Sequence, residues 1–161
     1  MGRTIVIGLG ANLGDARGTV LRAFDEIERL PNVVALGRSR LYRTKPVGGP
    51  PQDDYVNAAM AIRTTLSPKE LLAELQAIER RHGRERSGVR DEPRTLDLDI
   101  LWADGEQVNE PDLVIPHPRL WERAFALVPL VEVAPLAEEP GTGRLYAERL
   151  AAIDQSGVRL L

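Results

Sequence analysis

The sequence predicts an α+β domain with a βαββαβ core and an antiparallel sheet, and three observations predict it. Short strand-forming runs lie at residues 3–8, 32–42, 55–64 and 93–101. Two segments with apolar residues at helical spacing, 17–30 and 68–82, follow the first run and the third. No helical segment separates the second run from the third, so those two strands pair antiparallel. This order is the split-βαβ, ferredoxin-like arrangement, a sheet with helices on one face and the fourth run central in it.

Each element has its own signal. Arg3-Thr-Ile-Val-Ile-Gly8 is β-branched and enters a glycine-rich turn, Gly8-Leu-Gly-Ala-Asn-Leu-Gly14. The first helix places Leu21, Phe24 and Ile27 on one side, and Pro31-Asn32 ends it. The glycines read either as a tight strand-to-helix turn or as a dinucleotide-binding fingerprint. Their G-x-G-x-x-x-G spacing, with no ribose-binding acid following, favours the turn. Residues 43–54, rich in Pro and Gly, form a long loop of the kind that carries function. Ser67-Pro68-Lys69-Glu70 is a helix start with a capping box and Pro at the first position. That helix lays down Leu71, Leu72, Leu75 and Ile78, and Gly83 stops it. Asp104-Gly105 is a hairpin turn leading from the fourth strand to a short edge strand near 107–109. Pro116 and Pro118 flank His117 and fix its position. Residues 120–133 are helical in two pieces around Pro129, residues 138–143 form a turn, and 145–153 make a terminal amphipathic helix. No repeat or linker interrupts the 161 residues, which suits one domain, 1–161.

Composition excludes several function classes. A net charge of -3 gives no general attraction to nucleic acid or an anionic membrane, so any basic site must be local. Without cysteine there are no disulfides, zinc–thiolate sites or thiol catalysis. No apolar run reaches the roughly 18 residues of a membrane span, and the N-terminus lacks a signal-peptide pattern, so the expected location is cytoplasmic. There is no G-x-x-x-x-G-K-[ST], so any triphosphate is held without a P-loop.

The chemistry concentrates in Pro93-Arg94-Thr95-Leu96-Asp97-Leu98-Asp99-Ile100-Leu101. Period-two alternation turns Leu96, Leu98 and Ile100 to a core and Thr95, Asp97 and Asp99 to the opposite face. Residues two apart on a strand are roughly 6.6 Å apart, so the carboxylates converge on one volume. Such a pair is either a solvated outer face or a site for a hard divalent cation. The preceding loop holds Arg84, Arg86 and Arg90 and adjoins Arg94, and it is either solvated or an anion clamp. Together, carboxylates to hold metal and guanidinium groups to hold phosphate fit polyphosphate chemistry. A non-catalytic module taking up an anionic effector through the arginines is the competing reading. Gln76 and Glu79 point the same way from their helix, and pattern alone makes them exposed surface.

Several segments coincide with one enzyme family. Gly10-Ala-Asn-Leu-Gly-Asp15, Tyr42-Arg-Thr44, Asp54-Tyr-Val-Asn-Ala-Ala59, Glu79-Arg-Arg-His-Gly-Arg84, Pro93–Ile100, Ile115-Pro-His-Pro-Arg-Leu120 and Arg123-Ala-Phe125 stand in order over nearly the whole chain. In these it resembles the 6-hydroxymethyl-7,8-dihydropterin pyrophosphokinases of folate biosynthesis. The resemblance implies transfer of pyrophosphate from ATP to a pterin alcohol, with Asp97 and Asp99 holding two magnesium ions. It implies a pterin pocket of Thr44, Val47, Tyr55, Asn57 and Phe125. It implies an ATP side of Gln76, Glu79, Arg84, Arg94, Ile100, His117 and Arg123. Arg84, Arg86 and Arg94 join the aspartates as catalytic residues, and the expected protein is a monomer acting on small molecules.

Overall fold

The computed structural model describes residues 2–45, 54–83 and 95–161. The principal sheet runs in the order β5 (Asp97–Ala103), β1 (Arg3–Ala11), β4 (Tyr55–Thr64), β3 (Tyr42–Thr44) and β8 (Val158–Leu160). β2 (Val33–Arg38) pairs with the far end of β4. Every pairing is antiparallel. α1 (Ala16–Glu28) connects β1 to β2, and α2 (Pro68–Arg81) connects β4 to β5. The βαββαβ core is therefore present, with β2 and β3 sharing the place of its second strand.

Local chemistry explains the helices. Asp15 caps α1 by accepting the Gly18 N–H at 3.0 Å. Ser67 and Glu70 cap α2 reciprocally, at 3.1 and 2.9 Å, with Pro68 at its first position. Gly83 takes φ +79 just past its end, as the sequence predicts. Both helices pack on one sheet face, where Phe24, Ile27, Leu71, Leu75 and Ile78 meet Ile5, Ile7, Met60, Ile62, Leu98 and Ile100. Leu75 is fully buried there, and Leu75→Ala costs about 2–5 kcal/mol. Leu21, predicted for this stripe, is exposed, and its neighbour Val20 is buried instead.

The other sheet face is also covered over part of its length, where helices on one face alone are predicted. Val6, Ala59, Ala61, Leu101 and Trp102 share a second core with Leu127 and Leu130 of α3 (Ala124–Val133) and Tyr146 of α4 (Tyr146–Ala152). The small residues of β4 let α3 approach closely. On β1 the same face continues past Val6 as Gly8 and Gly10, which bring no side chain to that core.

Five further details depart from the sequence reading. β1 continues through Gly8 and Gly10 to Ala11, because both glycines are paired to β4 and β5 at once. β5 is the last strand of the sheet path instead of a central one, since the chain returns beside β1 and no later strand pairs outside it among the described residues. The run 32–42 is broken at Ser39, whose N–H and hydroxyl replace strand pairing by bonding the Ala59 C=O and N–H, each at 2.8 Å. The Asp104-Gly105 turn ends β5, but β6 (Val108–Glu110) pairs with β7 (Leu113–Ile115) instead. Pro129 lies inside α3, and the break falls at extended Arg123, after the short turn Leu120–Glu122. The proline there costs α3 only the bond to the Phe125 carbonyl.

Candidate active site

The rest of the second face is built in rows. Gly10 lies opposite Asp97 on β5 and Asn57 on β4, and Asn57 lies opposite Tyr42 on β3. One step to one side of that row, Gly8 faces Asp99 and Ala59; one step to the other side, Tyr55 faces Thr44. Cross-strand partners share a face, so Asp97 and Asp99 stand on one side of two glycines, with Asn57, Tyr55 and Thr44 on the other. A Cβ at Gly10 would lie 2.7 Å from Asn57 Oδ1, and one at Gly8 would lie 3.0 Å from Leu101 Cδ1. The glycines are there because the backbone must stay bare. Asn57 Nδ2 donates to Thr44 Oγ1 at 2.6 Å, which fixes the amide.

The aspartates are half-buried on the outer strand. Between them, the Leu98 N–H donates to Glu79 Oε2 at 2.8 Å. Glu79 is 5% exposed, so it is no surface residue of α2; it grips the edge of β5. Gln76, on the same helix, is half-buried. Ile100 turns its side chain into the core under α1 and α2, leaving its backbone as the group it can offer at the strand edge.

His117 follows the cis Ile115–Pro116 bond. Its N–H donates to the Leu101 carbonyl at 2.9 Å, and its Nδ1 accepts the Arg119 N–H at 3.2 Å. Burial, reinforced by Arg123 and Arg119 and opposed by Asp97, holds the imidazole below its ordinary pKa. With Nδ1 accepting, the neutral ring carries its proton on Nε2, free to donate. The Arg123 guanidinium sits 5.4 Å from the centroid of the Phe125 ring. Arg123, at the entry to α3, thus lies against the Phe125 ring and within electrostatic reach of His117, and His117 is also within the electrostatic reach of Asp97.

A family model for 7,8-dihydro-6-hydroxymethylpterin-pyrophosphokinase matches residues 6–135, most of the chain. The chain belongs to this family. Among similar pyrophosphokinases, the 2-amino-4-hydroxy-6-hydroxymethyldihydropteridine pyrophosphokinase of Methylorubrum extorquens is 41% identical over 94% of each chain. Those of Pseudomonas aeruginosa and Bacillus subtilis are 41% and 39% identical, over 98% and 99% of this chain and 96% and 91% of theirs. A Plasmodium falciparum HPPK-DHPS structure with pterin and p-hydroxybenzoate superposes with a TM-score of 0.74 at 12% identity. The match covers 94% of this chain and 43% of that one, and it shows the pyrophosphokinase fold.

Against the residues expected of a pyrophosphokinase, the sheet collects Thr44, Tyr55, Asn57, Asp97 and Asp99 on one face, with His117, Arg123 and Phe125 beside them. Val47, Arg84, Arg86 and Arg94 lie outside the described residues. No cluster of three or more metal-ligating side chains occurs among the described residues. Two carboxylates nevertheless fit magnesium, which takes one or two from protein and the rest from phosphate and water. Sequence reasoning missed the floor itself, although glycines two apart in a β-branched run are a signal for it. It also missed Tyr42, which the same two-residue period places beside Thr44.

Proposed function

We infer that the protein transfers the pyrophosphoryl group of ATP to the hydroxymethyl oxygen of 6-hydroxymethyl-7,8-dihydropterin in folate biosynthesis, releasing AMP. The hydroxyl oxygen bonds to the β-phosphorus, the bond from that phosphorus to the oxygen shared with the α-phosphate breaks, and the hydroxyl proton leaves. The observation that carries this reading is the placement of Asp97 and Asp99 on the same face as the Thr44–Asn57 pair, with only Gly8 and Gly10 between. An alcohol held by one side meets phosphate held by the other.

Each residue then has a task. Tyr55 and Phe125 sandwich the flat ring, Asn57 and Thr44 bond its edge, and Val47 closes the pocket. Asp97 and Asp99 hold two magnesium ions, which supply charge neutralisation on the polyphosphate and a lower hydroxyl pKa. Neutral His117 donates Nε2–H to phosphate, and Arg123 adds positive charge beside it. Arg84, Arg86 and Arg94 hold the transferred and leaving phosphates; Gln76, Glu79 and the Ile100 backbone complete the nucleotide side. Such a transfer asks mainly for alignment and charge neutralisation.

The protein acts as a monomer in the cytoplasm, as one domain, on small molecules and without nucleic acid. A net charge of -3 supports the last point, and among the described residues no helix is long and apolar enough to cross a membrane. The deciding experiment supplies magnesium, ATP and the reduced hydroxymethylpterin and identifies the nucleotide product. AMP formed only with the pterin present is expected, and ADP would overturn the assignment.

A further inference from the structure

A polar cluster outside the expected substrate contacts ties the pterin side of the floor to the helix above it. Glu132, in the last turn of α3, receives three donors. The Tyr42 hydroxyl donates to Oε1, while the Arg40 N–H and the Arg40 Nε donate to Oε2 at 3.0 and 3.2 Å. Burial pushes the Glu132 carboxyl up, but the Tyr42 and Arg40 donors outweigh it and leave its pKa below the ordinary value.

Tyr42 is buried on β3, directly across from Asn57 and two residues before Thr44, on the face that both share. Cross-strand partners have Cβ atoms about 5 Å apart, so Tyr42 and Asn57 are side-chain neighbours on that face. Glu132 follows Phe125 by seven residues, two helical turns, so both project from one side of α3. Because Pro129 has no N–H, the Phe125 carbonyl receives no bond from the next turn. Leu127 and Leu130 bury α3 against the sheet, and Glu132 ties its last turn to β3.

We propose that the Tyr42–Glu132 pair is a positioning element of the pterin pocket. It locks the strand carrying Thr44 to the helix carrying Phe125, and so sets the gap a flat heterocycle must enter. The inference rests on the pyrophosphokinase reading above. Neither residue touches the reacting atoms, so the expected signature is a change in pterin affinity with little change in turnover.

The test compares wild type, Tyr42→Phe, Glu132→Gln, the double variant and Arg38→Ala. Arg38 pairs with Asp25 and Glu28 of α1, on the face of the sheet opposite the pocket, and controls for lost stability alone. Calorimetry measures the pterin alcohol with magnesium and a non-hydrolysable ATP analogue present, and the analogue by itself. Tyr42→Phe and Glu132→Gln should each weaken the pterin about three- to tenfold. Analogue affinity and kcat should stay within about twofold, and the double variant should be no worse than the weaker single. Unchanged pterin affinity in Tyr42→Phe, the gentler variant, overturns the proposal, as does a parallel loss of both affinities matching Arg38→Ala. A wild type that makes no AMP refutes the pyrophosphokinase reading instead.

Discussion

Gly10 stands so close to Asn57 that a Cβ on it would lie 2.7 Å from the Asn57 amide oxygen. Its backbone is ordinary strand, paired on both sides, so the need for glycine at this position is one of space. Gly10→Ala should push the Asn57 amide off Thr44 while leaving β1 intact. The expected result is a pterin KM raised about tenfold, the worth of one well-placed hydrogen bond to a ligand, with ATP affinity little changed. Gly37→Ala, where a Cβ meets nothing within 4 Å, is the control. Equal pterin KM values in the two variants would remove Asn57 from the pocket.

Asp97 and Asp99 are costly on a strand face unless a cation compensates them. Asp97→Ala and Asp99→Ala should each lower turnover by about two orders of magnitude or more, since metal-stabilised charge is worth several kcal/mol in such transfers. The effect on folding should be modest, read from the melting temperature. Stopped turnover with an unchanged melting curve supports the metal role, and an unchanged rate in both variants rejects it.

Glu79 supports the same strand from behind through the Leu98 N–H. Glu79→Ala leaves that amide without its partner in a buried place, a loss of about 1–3 kcal/mol. Glu79→Gln keeps an acceptor and should lose less. Urea denaturation gives the energies, and hydrogen exchange at the Leu98 amide localises the effect. Undiminished protection there in Glu79→Ala would show that the carboxylate does not hold the strand.

What was legible in the sequence follows from which forces are local. Ser67, Pro68 and Glu70 announce α2, because a capping box closes within four residues. The alternation of Leu98 and Ile100 with Asp97 and Asp99 gives the faces of β5, because a strand has period two. The edge position of β5 is a tertiary fact: the order of the elements predicts the centre, and the pairing with β1 alone puts it at the end of the sheet path among the described residues. Gly8 and Gly10 looked like a turn because glycine serves both turns and close approach, and only the neighbours Leu101 and Asn57 decide which. Glu79 read as helix surface because its partner, the Leu98 amide, comes from 19 residues away. β8 was missed because three residues, Val158–Leu160, are too few for a periodic signal and take their form from β3.

The Glu132 carboxyl offers a pH test of the contact between α3 and β3. Its pKa in the folded chain lies below the ordinary 4.5. A carboxyl depressed by folding binds fewer protons in the native state than in the unfolded one. Its contribution to stability is therefore complete above about 4.5 and is lost as pH falls through the folded value. Glutamine cannot titrate, so the stability difference between wild type and Glu132→Gln should be constant from neutral pH down to about 5.5 and shrink below about 4.5. Tyr42→Phe removes one of the donors that depress the pKa, so its own stability deficit should narrow over the same window. Urea denaturation at pH 7, 5.5, 4.5 and 4 measures both differences. A difference that stays flat through pH 4 would mean that Glu132 gains nothing from Tyr42 and Arg40 on folding.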